Sequence, residues 1–368
     1  MSIKKTEFKL EMILIVCFVL FFVKAIGEIR IQRDHGSKVQ EKQLYQQSKE
    51  NLDEQTGLLV VEYATGNDTL LNKEAGRIFI EAPTAAPTPA LVVTPKPAGP
   101  TVPQSFVQVA DLVGAKYTME ELQKLDYLKD TLYIVNASTK MTEAEFDVEY
   151  FISKDLSLQP ADSSGAPQIL IFHTHTSEGF ADSRAGEVSD TVVGAGELLT
   201  DILTEKYGYR VLHDTTVFDR KNGKDNRNYA YNDALKYLQE LLEKYPSIEV
   251  VIDLHRDAGT KRVATVNGKQ TAKVMLFNGL CRNTQGKLTY LPNEKLKDNL
   301  AFSFQMKLIG DEMYPGLMNR IFLKDYRYNM HLKERYLLVE LGTEKNTVEE
   351  AMNAMEPLAD VLHQVLGK

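Results

Sequence analysis

Two cysteines in 368 residues, Cys17 and Cys281, are too few for a disulfide framework. Basic residues are outnumbered, with 43 Lys and Arg against 51 Asp and Glu and a net charge of −8. That balance argues against a general nucleic-acid binder, which normally carries a basic face. Tryptophan is absent, and this excludes nothing. Histidine is scarce at 7 residues, so two of them one residue apart at the end of an apolar run, in "ILIFHTHTSEGF" from Ile169 to Phe180, ask for a reason. The remaining composition, 43% hydrophobic and 26% charged, is that of an ordinary globular protein.

Long uncharged apolar runs are missing apart from "MILIVCFVLFFV", Met12 to Val23, which follows Lys4, Lys5 and Lys9. A spanning helix needs about 20 apolar residues. Snorkelling of Lys24 and the apolar pair Ala25-Ile26 extend the run toward that length. "AIGEIR" is a poor cleavage site, so residues 1–27 are expected to be a cytoplasmic tail and uncleaved membrane anchor. Positive charge stays inside, which places the rest of a single-pass protein of the cell membrane on the extracytoplasmic side. Residues 28–80 read as a polar stalk to which no chemistry is assigned. Residues 81–104 hold seven of the 13 prolines and read as a semi-rigid linker. The functional domain is expected over 105–368.

Within that domain, Thr118 and Glu121 have capping-box spacing and open a helical pattern. From Gln168 onward strand and helix patterns alternate. Strands are expected at 168–173, 209–213, 248–254, 274–278 and 336–341, and helices at 191–207, 228–245, 294–314 and 348–366, the last opened by Thr347 and Glu350 as a capping box. Continuous apolar strands such as "VVIDL" and "YLLVEL" are buried on both faces. The expected class is α/β, a central, mostly parallel sheet flanked by helices.

Ligands in open α/β sheets sit beyond the carboxyl ends of strands. Three expected strands deliver suitable groups there: His173 and His175, then His255 with Arg256 and Asp257, then Glu340. Glu187 precedes the helix after the first strand. Two imidazoles, a carboxylate ligand and a second carboxylate are the parts of a catalytic zinc hydrolase. The bland account of each residue stands beside this one: a hydrogen-bonded histidine at a strand end, a structural ion pair of Glu340 with Arg256, or of Arg256 with Asp257. The coincidence of three strand ends favours Zn2+. There is no HExxH, so the signal is a constellation and not a compact motif.

The segments "ILIFHTHTSEGF", "VVIDLHRDA" and "YLLVELGTEKNTVEEA", with "LDYLKDTLYIVNAST" and "EKYPSIEVVIDLHRD", closely resemble signatures of the stage II sporulation protein P family, over about Tyr117 to Leu366. The resemblance implies a membrane-anchored N-acetylmuramoyl-L-alanine amidase with a zinc amidase-like fold, a hydrolase of septal peptidoglycan during sporulation and engulfment. It also implies endopeptidase activity on cross-links and a glycan-cleaving partner, stage II sporulation protein D. Carried over by position, His175 and His255 are metal ligands. Glu187 is the second ligand, with Glu178 as the alternative, and Glu340 is the catalytic acid–base group. His173 and Arg256 fall in the second shell or against substrate, and His213 reads as structural with a substrate contact as the alternative. The family's Gly-rich turn after the first histidine is replaced here by "TSEG". Two other functions compete: a zinc peptidase confined to stem peptides, and a wall-binding module without turnover.

Overall fold

A computed structural model describes residues 106–159 and 165–367. The anchor, stalk and linker expected over 1–104 lie outside the described residues, apart from which the chain runs through three short helices, α1 (Val109–Ala115), α2 (Met119–Leu122) and α3 (Leu125–Thr131). The expected cap at α2 is formed: Glu121 N donates to Thr118 Oγ1 at 3.2 Å, and Thr118 N to Glu121 Oε2 at 3.3 Å. There follow β1 (Tyr133–Val135), α4 (Val148–Ser153), β2 (Ile169–Phe172), α5 (Val192–Glu205) and β3 (Val211–His213). A two-residue hairpin, β4 (Arg220–Lys221) and β5 (Lys224–Asp225), precedes α6 (Ala230–Lys244) and the central strand β6 (Val250–Asp257). A second hairpin, β7 (Val263–Val266) and β8 (Lys269–Ala272), leads to β9 (Val274–Gly279), α7 (Leu296–Met313) and β10 (Ile321–Lys324). The domain closes with β11 (Arg335–Thr343), α8 (Val348–Met352) and α9 (Met355–Leu366).

Seven strands form one sheet in the order β1-β10-β9-β11-β6-β2-β3. Every pairing is parallel except β9 with β11. β3, β2, β6 and β11 therefore point one way, and β9, β10 and β1 the other. Alternation along the strands divides the interior in two. Ile169, Ile171, Val250, Ile252, Leu254, Leu337 and Val339 join one core with α5, α7 and α9. Leu170, Phe172, Val251, Phe277, Tyr336 and Leu338 join a second core under α6. α6 meets it with Ala230, Tyr231, Ala234, Leu238 and Leu241, a stripe at helical spacing.

Two helices depart from a simple amphipathic pattern. α7 is buried at every position from Asn299 to Gly310. It is wedged between the sheet and α4, where most of its polar groups find partners, although Gln305 Oε1 does not. Gln305 Nε2 donates to the Phe151 and Lys154 carbonyls at 2.7 and 2.8 Å, and Ser303 Oγ donates to Asn278 Oδ1 at 2.6 Å. The helix expected over 348–366 is two helices instead. Pro357 has no N–H for a bond back to residue 353, so a new helix starts at Met355 and puts the proline in its first turn. The Thr347 and Glu350 cap forms at the head of α8, at 3.2 and 3.0 Å. Among the described residues no helix is long and apolar enough to cross a membrane.

Candidate metal centre

The strand β2 ends at Phe172, and the next residues keep its alternation for one more step. His173 continues the side of Ile169 and Ile171, facing α5. Its Nδ1 lies 2.8 Å from the Leu254 carbonyl and its Nε2 2.9 Å from His213 Nε2, while His213 Nδ1 lies 2.8 Å from Glu197 Oε2. A Cβ on Gly196 would come within 2.8 Å of both rings, so only glycine lets α5 close over them. Burial depresses the His173 pKa to about 3, with His213 adding to the shift. His173 thus sits on the opposite side of β2 from the metal-ligating candidates, and His213 is its structural partner.

His175 turns the other way because two buried aspartates hold the loop. Thr174 donates from N and Oγ1 to Asp253 at 2.8 and 2.7 Å. Thr176 Oγ1 donates to Asp219 at 2.9 Å, and Ser177 donates from both N and Oγ to the same carboxylate. The loop so fixed sets His175 and Glu178 under α6. His255 arrives from β6 with the parity of Val251, and Glu340 arrives from β11 with the parity of Leu338. In the ladder Glu340 pairs directly with His255.

Donor atoms of His175, Glu178 and His255 lie within 4.8 Å of one another, all three residues buried. His175 Nδ1 is 3.3 Å from Glu178 Oε1, and His255 Nδ1 is 3.4 Å from Glu178 Oε2. Two ligand atoms about 2.0–2.2 Å from one tetrahedral ion stand roughly 3.3–3.5 Å apart, so these spacings suit a zinc-sized cation. His175 Nδ1 and Glu340 Oε2 are buried with no hydrogen-bond partner; a divalent cation would engage the first and its water the second. Tyr231 of α6 covers the pair, parallel to His255 with ring centroids 6.2 Å apart and edge-on to His175 at 5.7 Å.

The charges are arranged in opposition. Burial works against an ionised Glu178, but the imidazoles of His175 and His255 hold its carboxyl well below the usual range. Arg227 Nη2 donates to its Oε1 at 2.7 Å and the Arg256 backbone N to its Oε2 at 2.9 Å. Burial depresses His175. His255 is also buried, yet Asp253 and Glu178 raise it, with Asp253 Oδ1 2.8 Å from its Nε2. Burial, reinforced by Asp257, pushes Glu340 up to about 8.

Glu187 is not part of this group, which corrects the expectation for the second ligand. It is exposed and accepts from Ser189 Oγ at 2.8 Å. The cause is a loop that leaves and returns: Gly179 bridges Thr191, and Val192 N donates to the Glu178 carbonyl at 3.0 Å. In space the carboxylate preceding α5 is therefore Glu178. Arg256 is also placed differently from either expected ion pair. Its Nε donates to the Gly179 carbonyl at 2.9 Å, and the Asp257 carboxylate accepts instead from Arg262 Nη1 at 2.6 Å. Tyr231, Arg227 and Asp219 escaped the sequence reading altogether. Asp253 was missed as well, although its place in "DLH", two residues before His255 and hence on its face, could have signalled it.

The family model described as Stage II sporulation protein P (SpoIIP) matches residues 105–363. Stage II sporulation protein P of Bacillus subtilis (strain 168) is 25% identical over 224 residues, covering 56% of this chain and 53% of that protein. The chain thus spans about half the length of this curated relative. Among solved structures, the apo N-acetylmuramyl-L-alanine amidase Ami1 from Mycobacterium abscessus is 15% identical with a TM-score of 0.32, covering 54% of this chain and 97% of that one. The amidase AmiC2 of Nostoc punctiforme is 14% identical, again with a TM-score of 0.32, covering 55% and 98%. A TM-score of 0.32 establishes no shared fold.

Proposed function

We propose, for a chain that belongs to the Stage II sporulation protein P family, a zinc-dependent peptidoglycan hydrolase that cuts the amide joining muramic acid to its stem peptide. The observation that carries this reading is the buried His175–Glu178–His255 group with Glu340 paired in register beside it. His175, Glu178 and His255 would hold the metal. When bound, a divalent cation there supplies Lewis acidity to the scissile carbonyl and to water.

The chain's own groups do the rest. Glu340, raised by burial into the range of a base that works near neutral pH, takes the proton of the attacking water. As the carbonyl carbon–nitrogen bond breaks, Glu340 returns that proton to the leaving amine. Arg227 and the Arg256 backbone N–H fix the rotamer of Glu178, and Asp253 orients His255. Tyr231 closes the α6 side and keeps bulk water from the imidazoles.

The same reading extends to cell biology. The apolar run Met12–Val23 behind three lysines supports a single-pass anchor, with the domain on the extracytoplasmic side of a sporulation septum. A glycan-cleaving partner, stage II sporulation protein D, and endopeptidase activity on cross-links belong to this proposal. Digestion of purified muropeptides by the zinc-loaded full-length chain, followed by mass spectrometry, is the test. Release of intact stem peptide from the glycan is expected. Cleavage within the peptide alone would replace the amidase by a peptidase, and binding without turnover would leave a wall-binding module.

A further inference from the structure

The cleft that opens beside Glu178 and Glu340 continues across the sheet on the α6 side. Met275 and Phe277 of β9 and Phe322 of β10 form its floor, and Lys324 stands in its far wall. Phe322 and Lys324 share this side because Ile321 and Leu323 alternate into the opposite core. Lys324 is only 6% exposed. A lysine so deeply buried keeps its charge where an anion is near, and Asp325 supplies one within the chain. That lysine also takes part in an interaction within the chain, so little freedom is lost when a ligand orders it.

The near end of the cleft carries Glu178, Asp257 and Glu340 with Arg256 among them, and Asp257 is paired with Arg262. With a cation held at Glu178, that end has no excess of negative charge. The far end carries Lys324, the only charged side chain lining it, which offers an anionic group on an extended substrate its partner there. The ladder gives the scale. Glu340 pairs with Met275, and Lys324 pairs with Gly279, four residues further along β9 and one strand beyond it. Two strand spacings across and four residues along separate the two backbones by roughly 16 Å. Both side chains line the cleft, and allowing for their reach a gap of that order takes about two to four extended peptide residues at about 3.3–3.6 Å each.

We propose that Lys324 is a specificity-determining residue that receives a carboxylate carried by an extended peptide, two to four residues from the amide held at Glu340. The assignment rests on the amide-hydrolase reading above and names the substrate feature which that site selects. The test uses the zinc-loaded full-length chain and two muramoyl tripeptides, one ending in a free carboxylate and one in a carboxamide. Wild type should favour the carboxylate. Lys324→Met should raise KM for it on the order of 10- to 100-fold, the worth of a hydrogen bond to a charged group. The KM ratio of the two substrates should then collapse toward one, with kcat retained, and Lys324→Arg should restore most of the preference. Equal losses on both substrates, or a KM unmoved by Lys324→Met, would overturn the assignment. Calorimetry with the free tripeptide needs no turnover: binding that depends on Lys324 in a protein that hydrolyses neither substrate keeps the subsite and removes the hydrolase. Hydrolysis that ignores the charge at position 324 does the reverse.

Discussion

Replacing Glu178 by glutamine sets the two carboxylates of the first long loop against each other as metal ligands. The amide is isosteric, but it offers one acceptor oxygen where two are used. Arg227 donates to Oε1 at 2.7 Å and Arg256 N to Oε2 at 2.9 Å, so the new NH2 group must face one of these donors. Leaving a buried donor without an acceptor costs about 1–3 kcal/mol. The larger effect is on the metal. Loss of a partner that merely orients a ligand weakens metal binding by about 10- to 100-fold. Loss of the anionic ligand itself should exceed that upper figure, or about 2.8 kcal/mol at 1.4 kcal/mol per decade. Glu187→Gln touches only an exposed contact with Ser189 and should change affinity less than about twofold, as surface substitutions usually do. Zinc competition against a chromophoric chelator, on full-length protein checked for folding by circular dichroism, measures both. Normal zinc in Glu178→Gln together with lost zinc in Glu187→Gln would refute the reasoning.

Glu340→Gln should retain zinc while kcat falls on the order of 10²- to 10⁴-fold, the contribution of a positioned acid–base group; an unchanged kcat removes Glu340 from the chemistry. Asp253→Asn should lower zinc affinity about 10- to 100-fold, read by the same chelator titration, because it holds both Thr174 and His255. Gly196→Ala puts a methyl within 2.8 Å of His173 and His213, on the opposite side of β2 from the metal group, and should cost about 1–3 kcal/mol in denaturant melts. His331 supplies a pH test: burial lowers its pKa from 6.5 to about 3. Between those values the unfolded chain binds a proton that the folded one does not, so stability falls as pH drops through the window. The slope is at most about 1.4 kcal/mol per pH unit, and His331→Gln should flatten the wild-type curve by up to that amount.

Much of the framework was written in local chemistry. Hydrophobic runs buried on two faces marked β2, β6 and β11, and both capping boxes formed where Thr118 and Thr347 placed them. β1 was missed because Tyr133–Val135 continues the helical pattern opened at Thr118, and β10 because its four residues, Ile321–Lys324, sit between charged loop residues with no alternation to mark them. The reversal at β9 was missed for another reason. Its sequence is as apolar as a parallel strand's, and direction is set by the chain path through the β7–β8 hairpin.

The sequence by itself determined which residue types reach the strand ends, because a two-residue period fixes the face of His255 and Glu340 once β6 and β11 are recognised. It could not determine which carboxylate joins His175. The resemblance pointed to a glutamate just before α5, where Glu187 stands, but the Gly179–Thr191 closure and the two buried aspartates carry that residue outward and draw Glu178 in. Only tertiary structure settles such a choice, because it depends on hydrogen bonds between segments about 40 to 80 residues apart, which no local pattern encodes.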